Sequence, residues 1–413
     1  MDAPGRTVTL VLCTTGGRLL GALPPLAVAR PWWPEAGDVV AAARETFGVE
    51  VTVLRLLTER PPPPEQGGAV SYLAQVREPP DRPLQPWDGD DPTTDAPRRL
   101  PWARPGGPDA DLAWADAVLA DRGSPRTGPA EQVRTWNLSS LWRLPTGAGW
   151  VWLKVVPPFF AHEGAVLRRL AGASVPEVLA AADGRILMAE VAGADQYDAP
   201  LPFLLAMVAL LVDLQSQWLG RSAELLSLGL PDWRAQPLTE LAADVVRRNA
   251  ADLDPDTMTA LEGLLGALPR RWAAIADCGL GDSFVHGDFH PGNVRGNADR
   301  LVLLDWGDCG VGHPLLDDPA FTSRLSDRDR ASVRAHWHGL WRAAVPGSDP
   351  ALAARLLAPV AALRQAVIYQ HFLDAIEDSE RVYHVHDPVI WLRRTAALDH
   401  AGYSGPPRTR STP

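Results

Sequence analysis

The sequence predicts an α+β protein whose first half is rich in strands and whose second half is helical. Short apolar or alternating runs, typical of strands, recur up to Gly193. From Pro202 onward, long segments carry apolar residues at helical spacing. With 413 residues, of which 46% are hydrophobic, the chain has room for two or three domains with substantial cores.

The first 78 residues are predicted to form a small α/β module. Two strands, Val8–Cys13 and Leu19–Leu23, flank a Gly16-Gly17 turn, which is a hairpin signal. A helix follows at Asp38–Phe47 and ends at Gly48. Further strands are predicted at 49–57 and 71–76. Residues 79–108 are dense in Pro, Asp, Arg and Gly, which favours a linker with local packing by Trp87 and Trp102.

After the linker, the predicted elements alternate between helix and strand. A helix at Asp109–Asp121 precedes a hairpin at 133–144, and Gly149–Val156 alternates as a strand that bears Lys154. Nine residues after that lysine, Glu163 opens an amphipathic segment. The later helices are predicted at 202–219, 238–252, 255–276, 327–344 and 351–377.

The segment Val285–Val294 carries the residues with the clearest chemistry. Asp288 follows an apolar strand, and Asn293 lies five residues further on, after a tight Pro-Gly turn. The run Leu301–Leu304 is predicted to be a buried strand that delivers Asp305 to the same cleft. Phosphoryl transfer needs positioning, Mg²⁺ and a carboxylate that orients the accepting hydroxyl. We expect Asp288 to serve as that carboxylate, and Asn293 and Asp305 to supply oxygen ligands to Mg²⁺.

These residues stand in motifs that resemble the aminoglycoside phosphotransferase family, which has the protein-kinase-like fold. The motifs are HGDFHPGN at 286–293, LLDWGD at 303–308 and GHPLLDD at 312–318. The resemblance implies a bilobal protein-kinase-like fold preceded by the α/β module. Its small β-rich lobe would span 109–192, and its large helical lobe, with the catalytic loop, 193–401. Residues 402–413 are expected to form a disordered tail.

The resemblance also implies roles for residues in the small lobe. Lys154 would hold the α- and β-phosphates and pair with Glu163. The hairpin has no GxGxxG, but Ser139 and Ser140 lie beside its turn and would meet phosphate. An ordinary polar turn is an equal alternative for this segment.

Further residues are assigned by the same resemblance. Met188, Glu190 and Val191 would line the adenine-binding hinge, although a core role for Met188 is nearly as well supported. Asp317 would brace the catalytic region, and His286 would support the loop backbone. Structural hydrogen bonds are favoured for His290 and His313, because neither has metal-ligand spacing to another His or Cys.

The N-terminal module resembles a degenerate Nudix hydrolase. Aligning the motif glycine of that family on Gly48 leaves Glu45 as the one surviving acid, with Ala42, Thr46 and Trp33 at the other acidic positions. One carboxylate cannot hold the metal cluster of that family. We therefore expect a structural or substrate-shaping role for this module, and not pyrophosphate hydrolysis.

The composition limits the partners and the compartment. A formal net charge of −11 argues against a nucleic-acid partner and suits a cationic substrate. The longest apolar run, Phe203–Val212, is too short to span a membrane. The three cysteines, Cys13, Cys278 and Cys309, have no paired spacing, and the N-terminus has no signal-peptide pattern. We therefore expect a cytoplasmic protein without membrane or nucleic-acid partners.

Together these features predict a Mg²⁺- and ATP-dependent (or GTP-dependent) phosphotransferase. Its acceptor would be a hydroxylated small molecule such as an aminoglycoside-like antibiotic, which would make it a resistance enzyme, or another amino or sugar metabolite. One alternative is a kinase-like nucleotide-binding or regulatory protein without turnover. Another, a Nudix-type pyrophosphohydrolase, would require the acids that the first module lacks.

Overall fold

A computed structural model describes residues 5–57, 67–172, 174–297 and 300–400 of the chain. The chain divides into two compact units. The first comprises 1–171, 176–190 and 373–385, and the second comprises 172–175, 191–372 and 386–413. The tail predicted to be disordered, from Gly402, lies outside the described residues.

The first unit contains the predicted strand-rich half of the chain. Its strands are β1 Arg6–Thr14, β2 Leu19–Ala22, β3 Leu26–Val28, β4 Thr52–Leu56, β5 Gly68–Val76, β6 Glu131–Trp136, β7 Ser139–Thr146, β8 Gly149–Val155, β9 Val178–Ala182 and β10 Arg185–Ala189. Its helices are α1 Gly37–Phe47, α2 Gly107–Asp121 and α3 Glu163–Arg169. The α+β character predicted from the sequence is confirmed.

The N-terminal sheet has the strand order β2-β1-β5-β4, with β3 also paired to β1. Strands β1 and β2 are antiparallel, as the Gly-Gly turn predicts, whereas β1 and β5 run parallel. Alternate residues of β1 enter two different cores: Val8 and Leu10 pack on one face, and Val11 and Cys13 on the other. Both faces of this sheet are therefore buried.

A second, antiparallel sheet has the order β6-β7-β8-β10-β9. Leu144, Leu153 and Val155 point from β7 and β8 into a core shared with α2. Because side chains alternate along a strand, Lys154 lies on the opposite face from Leu153 and Val155. The side chain of Gln132 on β6 joins the two sheets: its Oε1 accepts from Val53 N at 2.9 Å, and its Nε2 donates to Val53 O at 2.7 Å.

The predicted linker is packed within the first unit. It contains a 3₁₀ turn at Pro101–Ala103, and Leu100, Trp102 and Ala103 are buried. The indole of Trp102 donates to the carbonyl of Trp136 at 3.0 Å, so this segment contacts the end of β6 directly. Trp87 packs beside the smaller core of the N-terminal sheet.

The second unit is mainly helical. Its strands are β11 Ala194–Asp195, β12 Ser283–Val285, β13 Val294–Gly296, β14 Leu301–Leu303 and β15 Gly310–Gly312. The helices are α4 Leu201–Ser216, α5 Ser222–Ser227, α6 Ala235–Arg248, α7 Pro255–Asp277, α8 Asp318–Thr322, α9 Asp327–Ala344, α10 Pro350–Ala375, whose last turn belongs to the first unit, and α11 Asp387–His400. The five long helices predicted for this half are present, whereas α5, α8 and α11 were not predicted.

Helix α10 is the one helix, among the described residues, that is long and apolar enough to cross a membrane. About two thirds of its apolar window, 67%, is buried inside the protein. A core helix of a globular protein has the same properties, so α10 is weak evidence for a membrane span.

Candidate active site

Two short strand pairs position the acidic residues of the second unit. Strand β12 pairs with β15 and leads into the loop that carries Asp288. Strands β13 and β14 form a hairpin in which Val294 faces Leu303, and Leu304 N donates to Asn293 O at 2.7 Å. The residue before β13 and the residues after β14 therefore lie at the same end of this hairpin. Asn293 and Asp305 are brought together in this way.

The Asn293 side chain is oriented by the loop that carries Asp288. Its Nδ2 donates to the Asp288 carbonyl at 2.9 Å and to the Asp288 carboxylate at 3.0 Å. An asparagine side chain has one amide nitrogen and one oxygen, so this pairing commits the nitrogen and leaves Oδ1 for another partner. A hard cation such as Mg²⁺ binds oxygen, and this orientation of Asn293 fits it.

Asp305 has a backbone conformation that is uncommon for residues other than glycine. Its φ is +59°, in the left-handed region that non-glycine residues rarely occupy. The next residue, Trp306, is fully buried, donates its indole N–H to Leu303 O at 2.9 Å and packs 4.9 Å from the His286 ring. Strained backbone that is held by buried neighbours is concentrated at functional sites.

Within the described ranges, no group of three or more His, Cys, Asp or Glu side chains is arranged to hold a metal ion. A cation bound by Asn293 and Asp305 would complete its shell with oxygens from another molecule, such as phosphate or water.

Asp317 is fully buried beneath the loop that carries Asp288. Its two carboxylate oxygens accept from His286 N at 2.9 Å and from Gly287 N at 2.8 Å. Gln215 on α4 also donates to this carboxylate, at 3.0 Å. Two consecutive backbone N–H groups immediately before Asp288 are thereby fixed.

His286 holds the loop from the other side. Its ring is fully buried, and its Nε2 lies 2.9 Å from Leu304 O. Burial lowers the pKa of His286, so the ring is neutral at pH 7, and the contact assigns its proton to Nε2. His286 thus connects the loop of Asp288 to the residue immediately before Asp305.

His290 faces the candidate catalytic carboxylate. Its Nδ1 accepts from Gly292 N at 3.0 Å, which is a structural hydrogen bond, and its Nε2 lies 3.5 Å from Asp288 Oδ2. Desolvation by the surrounding loop raises the pKa of Asp288, although its side chain is 44% exposed, but the hydrogen bond and charge of His290 outweigh this effect, and the pKa lies below its ordinary value. The contact between His290 and Asp288 was not predicted from the sequence, because the spacing of His290 was compared only with that of metal-binding residues.

The first unit contains the predicted Lys–Glu pair. Lys154 Nζ lies 2.7 Å from Glu163 Oε1, and their side chains are 12% and 2% exposed. Lys154 comes from β8, and Glu163 is the first residue of α3. Gly164 allows close packing of α3, because a Cβ at this position would lie 3.0 Å from the Ala181 side chain on β9.

The predicted turn between β6 and β7 is formed by Asn137 and Leu138. The Ser139 hydroxyl accepts from Trp136 Nε1 at 3.3 Å, and the Ser140 hydroxyl from Trp142 Nε1 at 2.9 Å. Each serine keeps its own proton for a further acceptor. Asn137 is fully buried, and both polar atoms of its side chain lack a hydrogen-bond partner within the described protein. Phosphate contact by this turn stays a prediction.

The hinge candidates lie on the last residues of β10 and directly after it. Met188 lies on β10 between Trp152 and Val178 of the neighbouring strands. The Glu190 carboxylate pairs with Arg143 at 3.1 Å and 3.2 Å, which leaves the main chain of Glu190 as its potential contact to a nucleotide base. Val191 begins the long segment of the second unit, where its carbonyl accepts from Arg295 Nε at 2.9 Å.

Comparisons with known proteins agree with these observations. Residues 139–344 match the family model described as "Phosphotransferase enzyme family". A candidate aminoglycoside phosphotransferase from Ralstonia eutropha is 17% identical, with a TM-score of 0.50 over 71% of this chain and 99% of that chain. Choline kinase LicA from Streptococcus pneumoniae is 12% identical, with a TM-score of 0.50 over 71% and 99%.

At these identities the two structures show a shared fold and no more. No curated protein matches the chain by sequence. The resemblance of residues 1–78 to a Nudix hydrolase stays a prediction. The family match indicates that residues 139–344 carry a domain similar to the phosphotransferase enzyme family.

Proposed function

We propose that this protein transfers the γ-phosphoryl group of ATP, or of GTP, to a hydroxyl group of a small molecule. The observation that carries this proposal is the arrangement around Asn293. Its amide nitrogen is bonded to Asp288, and its backbone is bonded to the residue before Asp305. This arrangement supports roles for Asp288 as the proton acceptor and for Asn293 and Asp305 as oxygen ligands, which are the groups that phosphoryl transfer requires.

In the proposed reaction, Asp288 accepts a hydrogen bond from the acceptor hydroxyl and orients its oxygen. That oxygen forms a bond to the γ-phosphorus as the bond between this phosphorus and the β-phosphate oxygen breaks. The hydroxyl proton passes to the Asp288 carboxylate, and the nucleoside diphosphate leaves. Partial exposure of the Asp288 side chain, 44%, is consistent with direct access to a substrate.

The phosphates would be held by Lys154, whose ammonium group is positioned by Glu163 at 2.7 Å. Asn293 Oδ1 and the Asp305 carboxylate would hold Mg²⁺, which supplies charge neutralisation for the phosphates when bound. The hydroxyls of Ser139 and Ser140 would contact the phosphates. The main chain near Glu190 would contact the base. Trp136 and Trp142 fix the two hydroxyls, so these groups are pre-oriented.

The acceptor would be an amine-bearing alcohol or sugar. Support comes from the formal net charge of −11, which favours a cationic substrate by long-range attraction. An aminoglycoside-like antibiotic and an amino alcohol both have this chemistry.

A screen with a matched binding measurement tests the proposal. Purified protein is incubated with ATP or GTP, Mg²⁺ and a panel of hydroxylated amines and sugars, and release of nucleoside diphosphate is followed. We expect nucleotide to raise the melting temperature only with Mg²⁺, and at least one acceptor to be phosphorylated. Nucleotide binding without product on a broad panel would instead support a regulatory, kinase-like protein.

The N-terminal module would have a structural role. Glu45 is exposed on α1, whereas Gln132 ties β4 to β6 through two hydrogen bonds, at 2.9 Å and 2.7 Å. The full chain should therefore show no metal-dependent hydrolysis of nucleoside diphosphate conjugates. Hydrolysis that is lost in Glu45→Gln would overturn this assignment.

A further inference from the structure

Helix α10 places a buried arginine directly behind the candidate catalytic loop. Arg364 is 1% exposed, and its Nη2 donates to the carbonyl of Gly287 at 3.0 Å. The adjoining Gln365 approaches the same carbonyl more weakly, at 3.4 Å. Resting on the proposed function, we propose that Arg364 is a positioning residue for phosphoryl transfer, because it fixes the peptide that carries Asp288.

Hydrogen bonds hold both the N–H and the C=O of Gly287. Its N–H donates to Asp317 at 2.8 Å, and its C=O, which belongs to the peptide bond with Asp288, accepts from Arg364. Gly287 has a φ of +92°, and a Cβ there would clash with the carbonyl of Asp308. The two peptides before Asp288 are thus fixed in a conformation that only glycine adopts readily.

The charge of Arg364 also suits this position. Burial lowers the pKa of Arg364, and the carboxylates of Asp317, Asp308 and Asp288 raise it. An arginine side chain remains a cation even when buried, whereas a buried lysine loses its proton more readily. A single group therefore donates to the loop carbonyl and places positive charge next to the acidic side chains of the loop.

The remaining donors of Arg364 do not have another structural task. Its Nε and Nη1 have no hydrogen-bond partner among the residues that the structure describes. Arg271 on α7 has different hydrogen-bond partners. It is also buried, but it donates to Leu356 O at 3.1 Å and pairs with Asp399, away from the catalytic loop. Arg271 is therefore a matched control for the loss of a buried arginine in the same unit.

A positioning role predicts a specific kinetic effect. Displacement of a reacting group by about 1 Å can lower a rate about 100-fold while binding is little affected. Loss of Arg364 should therefore reduce kcat more than it changes the KM for nucleotide or acceptor. If Arg364 had a purely structural role, its loss would lower the melting temperature and the amount of active protein, without a larger effect on kcat than on KM.

The experiment uses the full chain with an acceptor found in the screen. Arg364→Met, Arg364→Lys, Arg271→Met and Arg271→Lys are compared by kcat, by KM for each substrate and by melting temperature. For Arg364→Met we expect kcat to fall about 30- to 100-fold with both KM values within about threefold of wild type. Arg364→Lys, which is the milder change and keeps a potential cation, should lose about tenfold. The Arg271 variants should lose stability and keep kcat.

A second comparison separates positioning from general destabilisation. In an Asp288→Asn background, Arg364→Met should lower the residual rate by less than about threefold, because the group it positions is already altered. Equal losses with and without Asp288, or a kcat within threefold of wild type in folded Arg364→Met and Arg364→Lys, would overturn the inference. Absence of turnover in the wild type would instead contradict the proposed function itself.

Discussion

Removal of Lys154 should cost far more stability than removal of an exposed cation in the same unit. Lys154 Nζ lies 2.7 Å from Glu163 Oε1, and the two side chains are 12% and 2% exposed. Lys154→Met leaves the Glu163 carboxylate buried beside an apolar group. Loss of one partner from a buried ion pair costs about 3–5 kcal/mol, and the penalty is mostly that of the remaining charge.

The double variant tests the source of this penalty. When Glu163→Leu is added to Lys154→Met, the buried carboxylate that lost its lysine is removed as well, and most of the lost stability should return. The control is Arg30→Met, which breaks an exposed pair with Asp38 at 3.0 Å, where the side chains are 64% and 45% exposed. An exposed pair contributes about 0–1 kcal/mol.

Urea denaturation of the nucleotide-free protein, followed by tryptophan fluorescence, measures these differences. The account predicts a loss of about 3–5 kcal/mol for Lys154→Met, a coupling energy of at least about 2 kcal/mol in the double variant, and a loss under about 1 kcal/mol for Arg30→Met. A loss for Lys154→Met as small as that of the control would refute the description of a buried, mutually dependent pair.

Three further outcomes are expected. Burial and the nearby charge of Glu377 raise the pKa of Glu380 to about 8. The stability that its neutral form contributes should therefore decline as the pH rises from about 4.5 to 8, by up to about 1.4 kcal/mol per pH unit. Glu380→Gln should flatten this decline in urea titrations. Burial lowers the pKa of His313 to about 3, so stability present above about pH 6.5 should be lost as the pH falls toward 3. His313→Asn should remove that acid-dependent loss, and an unchanged pH profile would contradict it. Asn293→Ala should raise the Mg²⁺ concentration for half-maximal activity at least about tenfold, by analogy with the loss of groups that support a metal site, whereas an unchanged Mg²⁺ dependence would exclude Asn293 as a ligand.

The parts of the site that depend on local spacing were predictable from the sequence. Asp288 and Asn293 are five residues apart, and their hydrogen bonds follow from one tight turn. Lys154 and Glu163 are nine residues apart on a strand and the helix after it. Such short separations leave few alternative geometries, so residue type and spacing were informative.

The supporting residues were less accessible because their partners are distant in sequence. Arg364 lies 77 residues from Gly287, and Gln215 lies 102 residues from Asp317. Nothing in the sequence pattern of α10 distinguishes a buried arginine beneath the loop that carries Asp288 from one on a surface. Asp317 could be assigned only because the family resemblance indicated it.

The C-terminal elements show the same limit at the level of the fold. Tyr383 packs against Trp33 and Trp136 at centroid distances of 6.3 Å and 5.7 Å, so a late segment completes the core of the first unit. Helix α11 buries Leu392 but exposes Ile390, which weakens the hydrophobic periodicity by which a helix is predicted.

Near the N-terminus, strand β3 was not predicted because its three residues are too few to give a reliable alternating pattern.

The most direct test of the central claim is the rate of phosphoryl transfer by Asp288→Asn. The substitution keeps the size of the side chain and removes its ability to accept the hydroxyl proton, and Asp327→Asn, at an exposed helix start, is the matched control. With γ-³²P-labelled nucleotide and an accepted substrate, the account predicts a kcat lower by about 10²- to 10⁴-fold for Asp288→Asn, with nucleotide affinity within about threefold of wild type. A kcat for Asp288→Asn that matches the control would contradict the assignment of this carboxylate to the reaction.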